Sequence, residues 1–425
     1  MQLKPFATCL FSAVFVFACT SEAPQKDSTS ASTSGSAAVL QEPIAETADL
    51  SQGIGDTNIA FCSALLDKAE NQLDGFRKHY TDPSNIPRSY STTVRYATPD
   101  DWTSGFVAGS FWYMYEHTQD ESWLASAQEW THALEQQQFN EGTHDLGFMM
   151  YNSYGNALRL TDKTDYVPII IQTANSLMTR YNPTVGATRS WDFGDWEFPV
   201  IIDNMMNLEL LFEATKLSGD AVFKEAAISH ATVTMNNHFR PDYSSYHLVD
   251  YSTETGDAIH KQTYQGIADD SDWARGQGWG AYGYTMMYRY TQDQRFLTLA
   301  QNITEFYLNH PNMPDDLVPY FDFDAIDDET VENYRDSSTA ALMASALLEL
   351  ASYVNEADAA RYRLAAINML KSLSTPEYLA VQGENAHFLL KQATGNYPGG
   401  YELSAAINYA DYYYLEALVR CKNGG

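Results

Sequence analysis

Six stretches of this chain carry small, apolar and aromatic residues on every side. They read "DWTSGFVAGSFWYMY", "DLGFMMYNSYGNALRL", "DNMMNLELLFEATKL", "ARGQGWGAYGYTMMYRY", "DSSTAALMASALLELA" and "LSAAINYADYYYLEALV". A helix without a broad charged face has to be covered all round. The turns that follow four of them, in "YEHTQDESWLASAQ", "LRLTDKTDYVPIII", "TKLSGDAVFKEAA" and "YRYTQDQRFLTLA", break one helix and cap the next, which has one wet face. A weaker fifth turn lies in "ASYVNEADAARYRLAA". With a first helix from roughly Asn58 to His79, the pattern gives six inner helices ringed by six outer ones. It predicts an all-α fold, an (α/α)6 barrel of six helical hairpins with every inner-helix N-terminus at one rim. The spacing is too irregular for a tight solenoid. "SSYHLVDYSTETGDA", from Ser244 to Ala258, alternates and ends in a turn signal, which predicts a short β-ribbon over that rim.

Asp101, Asp145, Asp203, Arg275 and Asp336 all fall at or just before inner-helix starts. An aspartate there accepts unpaired backbone N–H groups and complements the helix dipole, which is the reading for Asp101 and Asp336. Asp203 keeps different company, with "VII" before it and "MM" after it. Asp145 heads the preceding inner helix, so the two carboxylates can meet across the barrel mouth. Paired carboxylates, one protonated and one ionised, are the usual kit for cleaving a glycosidic bond. A helix N-terminus lowers a carboxyl pKa, whereas apolar walls and a neighbouring anion raise it. Asp203 is therefore expected to be the acid and Asp145 its partner.

Trp102, Trp191, Trp196, Trp273 and Trp279 gather near the same helix starts. Indole faces suit the C–H faces of sugar rings, although each tryptophan alone reads equally well as core. Arg275, with His247 and Gln265, offers the cation and donors that an acidic sugar needs. The whole chain carries 55 acidic against 25 Lys and Arg residues, a formal charge of -30. That balance excludes nucleic acid and anionic membranes as partners.

The opening "MQLKPFATCLFSAVFVFACTSEAPQ" reads as an export signal, too short to span a membrane. The expected division is a signal in residues 1–18, a flexible Ser/Thr/Ala-rich tether in 19–50, and one barrel domain in 51–425. Ala18 before Cys19 resembles a bacterial lipobox, which predicts lipidation of Cys19 at the envelope of a Gram-negative-type cell, periplasmic or on the outer membrane. Phe17 is unusual inside that motif, and ordinary cleavage is the alternative. Cys62 and Cys421 remain in the mature body. Closing the ring brings the end of the last helix to the start of the first, so the pair is either a disulfide or two buried thiols. No CxxC, HExxH or clustered His/Cys spacing is present, and no metal site is expected.

"HDLGF", "IIDNMMNLELLF" and "DDSDWARGQGWGAYG", in this order, resemble the hallmark segments of glycoside hydrolase family 88, the unsaturated glucuronyl hydrolases. "DYYYLEALVR" is similar to the family's closing helix, so the resemblance covers roughly Thr57 to Arg420. It implies the same barrel and an uncommon reaction: hydration of the C4=C5 vinyl ether of a 4,5-unsaturated uronic acid at the non-reducing end of polysaccharide-lyase products. It further implies that Asp203 protonates C4 and then activates water, that Asp145 assists, and that Trp102, His144, Trp191, His247, Gln265, Trp273, Arg275 and Trp279 line the substrate site. No cofactor is implied, since an acid and water suffice. The related family 105, the unsaturated rhamnogalacturonyl hydrolases, fits "HDLGF" with "RGQGWG" less well, and a non-catalytic glycan-binding lipoprotein would not need paired carboxylates. The family's usual Trp-Gly before the last Asp-Tyr pair is absent from "INYADYYYLEAL".

Overall fold

The computed structural model describes residues 53–425. The signal, the tether and the lipidation of Cys19 lie outside the described residues. Among the described residues twelve barrel helices follow in outer–inner alternation, with three short 3₁₀ turns between them. The outer set is α1 (Asp56–His79), α3 (Glu121–His132), α5 (Tyr166–Met178), α7 (Val222–Asn237), α9 (Gln294–Asn309) and α11 (Glu356–Leu373). The inner set is α2 (Gly105–Thr118), α4 (Gly147–Gly155 continued by Asn156–Thr161), α6 (Ile202–Asn207 continued by Leu208–Ser218), α8 (Ala274–Thr291), α10 (Ser337–Leu350) and α12 (Asn408–Lys422). Inner helices are buried almost throughout; in α10 every residue but Glu349 is buried. Three of the five polar turns cap the next helix as their sequences predict, at Asp120, Asp293 and Asn355, whereas the N-cap residues Asp165 and Ala221 make no side-chain cap. Asp120 accepts from the Ser122 N–H at 2.7 Å and Asp293 from the Arg295 N–H at 2.9 Å, each capping an outer helix.

Two inner helices start irregularly. α4 opens as a π-helix, Gly147–Gly155, before its α-helical end, Asn156–Thr161. α6 opens as a 3₁₀ turn, Ile202–Asn207, before Leu208–Ser218. These are the helices headed by Asp145 and Asp203, and neither aspartate caps a helix. Such departures recur at functional sites because they re-aim side chains that a regular helix would fix. Asp336 does cap α10, accepting from the Ser338 N–H at 3.1 Å. Asp101 does not cap α2: it folds the preceding turn, accepting from the Thr103 N–H at 2.8 Å.

The expected ribbon over the rim is part of a three-stranded sheet. β6 (Leu248–Tyr251) pairs with β7 (Ala258–Gln262) on one side and with β5 (Pro199–Ile201) on the other, all antiparallel. A second sheet crosses the ring's seam, with β1 (Ile86–Tyr90) between β2 (Val94–Ala97) and β8 (Ala406–Ile407). A two-stranded pair, β3 (Tyr181–Asn182) with β4 (Ala187–Thr188), completes the strands. At the far end of the seam Cys62 and Cys421 form a disulfide, which settles that pair. No helix among the described residues is long and apolar enough to cross a membrane.

Candidate active site

The strand pairing that sequence periodicity misses is what builds the site. Ile201 sits opposite Leu248 in the β5–β6 ladder, and the next residue, Ile202, donates its N–H to the His247 carbonyl at 2.9 Å. The register therefore delivers His247 to Asp203. His247 Nε2 lies 3.5 Å from Asp203 Oδ2. The Tyr264 N–H donates to His247 Nδ1 at 2.9 Å, so a neutral imidazole carries its hydrogen on Nε2, toward the carboxylate. Asp203 is 6 % exposed, and its Oδ2 is buried with no hydrogen-bond partner. Leaving such an oxygen unpaired costs about 1–3 kcal/mol or more, which folds tolerate chiefly at working atoms.

Asp145 lies across the mouth, with His144 beside it. His144 Nδ1 donates to the Ser190 carbonyl at 2.9 Å, and its Nε2 is 3.1 Å from Asp145 Oδ1. A neutral imidazole held this way would turn a lone pair toward a carboxylate. His144 Nε2 is itself buried without a hydrogen-bond partner. Burial raises the Asp145 carboxyl above its ordinary value; nearby Asp203 adds to the rise, while His144, Thr143 and Asn207 oppose it.

Asn207 ties the pair together. Its Oδ1 accepts from the Phe148 N–H at 3.0 Å, its Nδ2 lies 3.5 Å from the Asp203 carbonyl, and its amide is close enough to favour the ionised Asp145 carboxyl. Diverting the Phe148 N–H to a side chain is a local reason for the irregular start of α4. The approach requires Gly147, where a Cβ would stand 2.6 Å from Asn207 Cα. Nothing in the sequence marks Asn207 apart from its spacing of four from Asp203, one helical turn.

The predicted aromatic and cationic residues separate into two groups. Trp102 is half-buried at the mouth, 5.2 Å from the Tyr409 ring and 5.6 Å from the Arg88 guanidinium. Trp191 is half-buried too, its ring 5.9 Å from His247. Both can offer a face to a sugar. Trp279, by contrast, has no exposed surface and packs on Phe148 at 5.2 Å and Tyr413 at 5.6 Å, so it belongs to the barrel core below the aspartates and is no sugar platform. Trp273 is wedged between His247, 4.6 Å away, and Arg275, 4.8 Å away, and orients both.

Arg275 differs most from its expected role. Its Nη1 donates to Asp336 at 2.5 Å and the Thr394 carbonyl at 2.6 Å; its Nη2 donates to Gln265 Oε1 at 2.8 Å and the Gly395 carbonyl at 2.7 Å. All four Nη hydrogens are thus taken by protein acceptors. Arg275 still supplies positive charge felt by Asp203, but it acts as a clamp that holds Gln265 and the 394–395 loop at the rim. Because Gln265 Oε1 faces Arg275, its NH₂ end is the one left for a ligand.

Two other features lie apart. A cavity of about 840 Å³ opens at the opposite barrel end, lined among others by Glu209, Glu349, Glu416, Arg289 and Arg420. Its acids are already paired, Arg289 with Glu209 and Glu349 and Arg420 with Glu349 at 3.0 Å each, and Arg420 with Glu416 at 3.8 Å. Among the described residues, Asp272, His310 and Asp324 come close enough to suggest a cation. His310 Nδ1 accepts from the Asn312 N–H, which leaves hydrogen on Nε2, and Arg240 already pairs with Asp272. That set does not suit a metal.

Comparison with known proteins matches residues 68–423 to Glycosyl Hydrolase Family 88. The chain is 45% identical over 360 residues to an unsaturated glucuronyl hydrolase of Formosa agariphila, covering 83% of this chain and 89% of that protein. Among solved structures it is similar to an unsaturated glucuronyl hydrolase specific for heparin, with a TM-score of 0.82, 46% identity, and coverage of 87% and 98%. It is also similar to a mutant unsaturated glucuronyl hydrolase of Streptococcus agalactiae complexed with dGlcA-GalNAc6S, with a TM-score of 0.72, 27% identity, and coverage of 87% and 92%.

Proposed function

The chain belongs to glycosyl hydrolase family 88, and from that premise we propose how its rim works as an unsaturated glucuronyl hydrolase. Asp203 donates a proton to C4 of a 4,5-unsaturated uronic acid at the non-reducing end of an oligosaccharide. The cation that develops at C5 is shared with the ring oxygen. Asp203, now a carboxylate, takes a proton from the water that attacks C5, so the acid is regenerated and no cofactor is consumed. The resulting hemiketal opens its C5–O5 bond to a ketone. The hemiacetal left at C1 then collapses to an aldehyde and frees the neighbouring sugar as an alcohol. One water has been added and one glycosidic bond lost.

The observation that carries this reading is the buried, unpartnered Asp203 Oδ2 facing the hydrogen of His247 Nε2. A protein acid must sit out of water, yet hold one oxygen free for the substrate. His247 then donates to the carboxylate left after proton transfer, where a hydrogen bond to an ion is about twice as strong as a neutral one. Asp145, with His144 beside it, binds ring hydroxyls. Trp102 and Trp191 cover the sugar faces, and the charge of Arg275 with the Gln265 NH₂ favours the uronate. The test is the near-ultraviolet absorbance of the conjugated uronate, which this reaction destroys and a polysaccharide lyase creates. Loss of that absorbance on unsaturated disaccharides from glycosaminoglycans or other acidic polysaccharides supports the assignment, and an increase on intact polysaccharide would overturn it.

We further propose export to the cell envelope, anchored by lipid on Cys19. The lipobox-like Ala18-Cys19 and the Cys62–Cys421 disulfide support it, since disulfides persist in oxidising compartments. Mass spectrometry of the mature N-terminus decides between a lipidated and a plain cysteine.

A further inference from the structure

The loop that carries Trp191 holds aromatic rings in water beyond the reaction centre. Phe193 is 51% exposed and Tyr264 42% exposed. Phe193 stacks on Trp191 at 5.1 Å and 21°, Tyr264 lies 4.9 Å from Trp191, and Trp196 closes the group 5.6 Å from Trp191. These rings continue outward from Asp203 by way of His247 and Trp191. Contiguous exposed apolar surface of this kind marks a binding surface.

The shelf is braced from below. Arg180, whose side chain is 5% exposed, donates to both oxygens of Asp192 at 2.9 and 3.1 Å and to the carbonyls of Glu141, Arg189 and Ser190. The Ser190 carbonyl is also the acceptor for His144, so the shelf and the Asp145 side of the mouth share one support. Trp196 Nε1 donates to Gln262 Oε1 at 2.6 Å, which pins the shelf to β7. Gly194, with φ +84°, turns the loop between Phe193 and Trp196. Asp192 is held by Arg180, so what the shelf offers a ligand is ring faces.

We propose that Phe193 and Tyr264, on the outer side of Trp191 and braced by Trp196, form an outer subsite for a pyranose ring of the leaving oligosaccharide beyond the sugar next to the cleaved bond. This rests on the hydrolase reading above. The apolar face of a hexose or hexosamine ring lies on the shelf, and longer lyase products gain from it while disaccharides do not reach it. Stacking of this kind is worth about threefold to tenfold in affinity.

The test compares an unsaturated disaccharide with an unsaturated tetrasaccharide from the same polysaccharide. The wild-type kcat/KM should be about threefold to tenfold higher for the tetrasaccharide. Phe193→Ala should erase that advantage and leave the disaccharide unchanged, and Phe193→Tyr should retain it. Equal kcat/KM for both lengths in the wild type, or an equal loss on both in Phe193→Ala, overturns the subsite. Calorimetry on Asp203→Asn, with and without Phe193→Ala, reads binding without turnover. Tetrasaccharide binding that weakens with Phe193→Ala supports the shelf even if the wild type turns over neither substrate, a result that would sink the catalytic reading alone. Absence of tetrasaccharide binding overturns the shelf.

Discussion

His247 Nε2 and Asp203 Oδ2 stand 3.5 Å apart, and the bond from the Tyr264 N–H to His247 Nδ1 leaves the hydrogen of a neutral imidazole on Nε2. The pair comes from a strand register, not from neighbours in sequence, and it sets the first expectations for mutation.

Asp203→Asn retains shape and burial but can neither give a proton to C4 nor take one from water. Turnover, followed by loss of uronate absorbance, should fall by about 10³-fold or more, with substrate affinity by calorimetry within severalfold of wild type. A variant that keeps wild-type kcat would remove Asp203 from the chemistry.

His247→Phe keeps a ring between Trp191 and Trp273 and deletes the Nε2 hydrogen. The loss should appear in kcat, by about 10²-fold, with little change in KM. A rise in KM at constant kcat would make His247 a binding residue only.

Asn207→Ala removes an amide that opposes the rise of the Asp145 carboxyl. The sign follows: without it the carboxylate loses stabilisation and Asp145 moves still higher. The limb of the pH–rate profile that reports Asp145 should shift to higher pH. Loss of activity with an unmoved profile would mean that Asn207 serves packing alone.

Burial raises the Asp411 carboxyl to about 7, although it accepts from the Leu389 and Leu390 N–H groups at 2.8 Å each. With its folded value above the unfolded one, the native state holds the extra proton and loses stability as pH climbs toward 7. Relative to Asp411→Asn, the wild type should lose about 2–3 kcal/mol between pH 5 and pH 8. Paired denaturation curves at those two values check it; a constant difference would contradict it.

Cys62→Ser should cost about 3–5 kcal/mol, because the bridge closes a loop across a sequence separation of 359. Cold activity should be largely retained, since the bridge sits at the other end of the seam from the aspartates. Thermal melts with and without reductant measure the loss.

Helix number, alternation and the rim were legible because a buried helix lacks a polar face and a capping turn is local. The strand Pro199–Ile201 was not, since three apolar residues before an aspartate look like a helix lead-in until β6 pairs with them. The π opening of α4 depends on a side chain 59 residues away. Trp279 and Trp191 are the same residue type, and only packing separates core from cleft. Phe193 did leave a trace: "WDFGDWEF" sets aromatic residues among Asp and Gly, an odd composition for a loop with nothing to bind.

Helical proteins commonly begin to come apart by fraying at the first or last helix. Here those two helices are each other's neighbours, bolted at one end by sulfur and laced at the other by β1 and β8. Peeling from a terminus is therefore blocked, and heat should inactivate the molecule in one abrupt step, when the ring as a whole lets go.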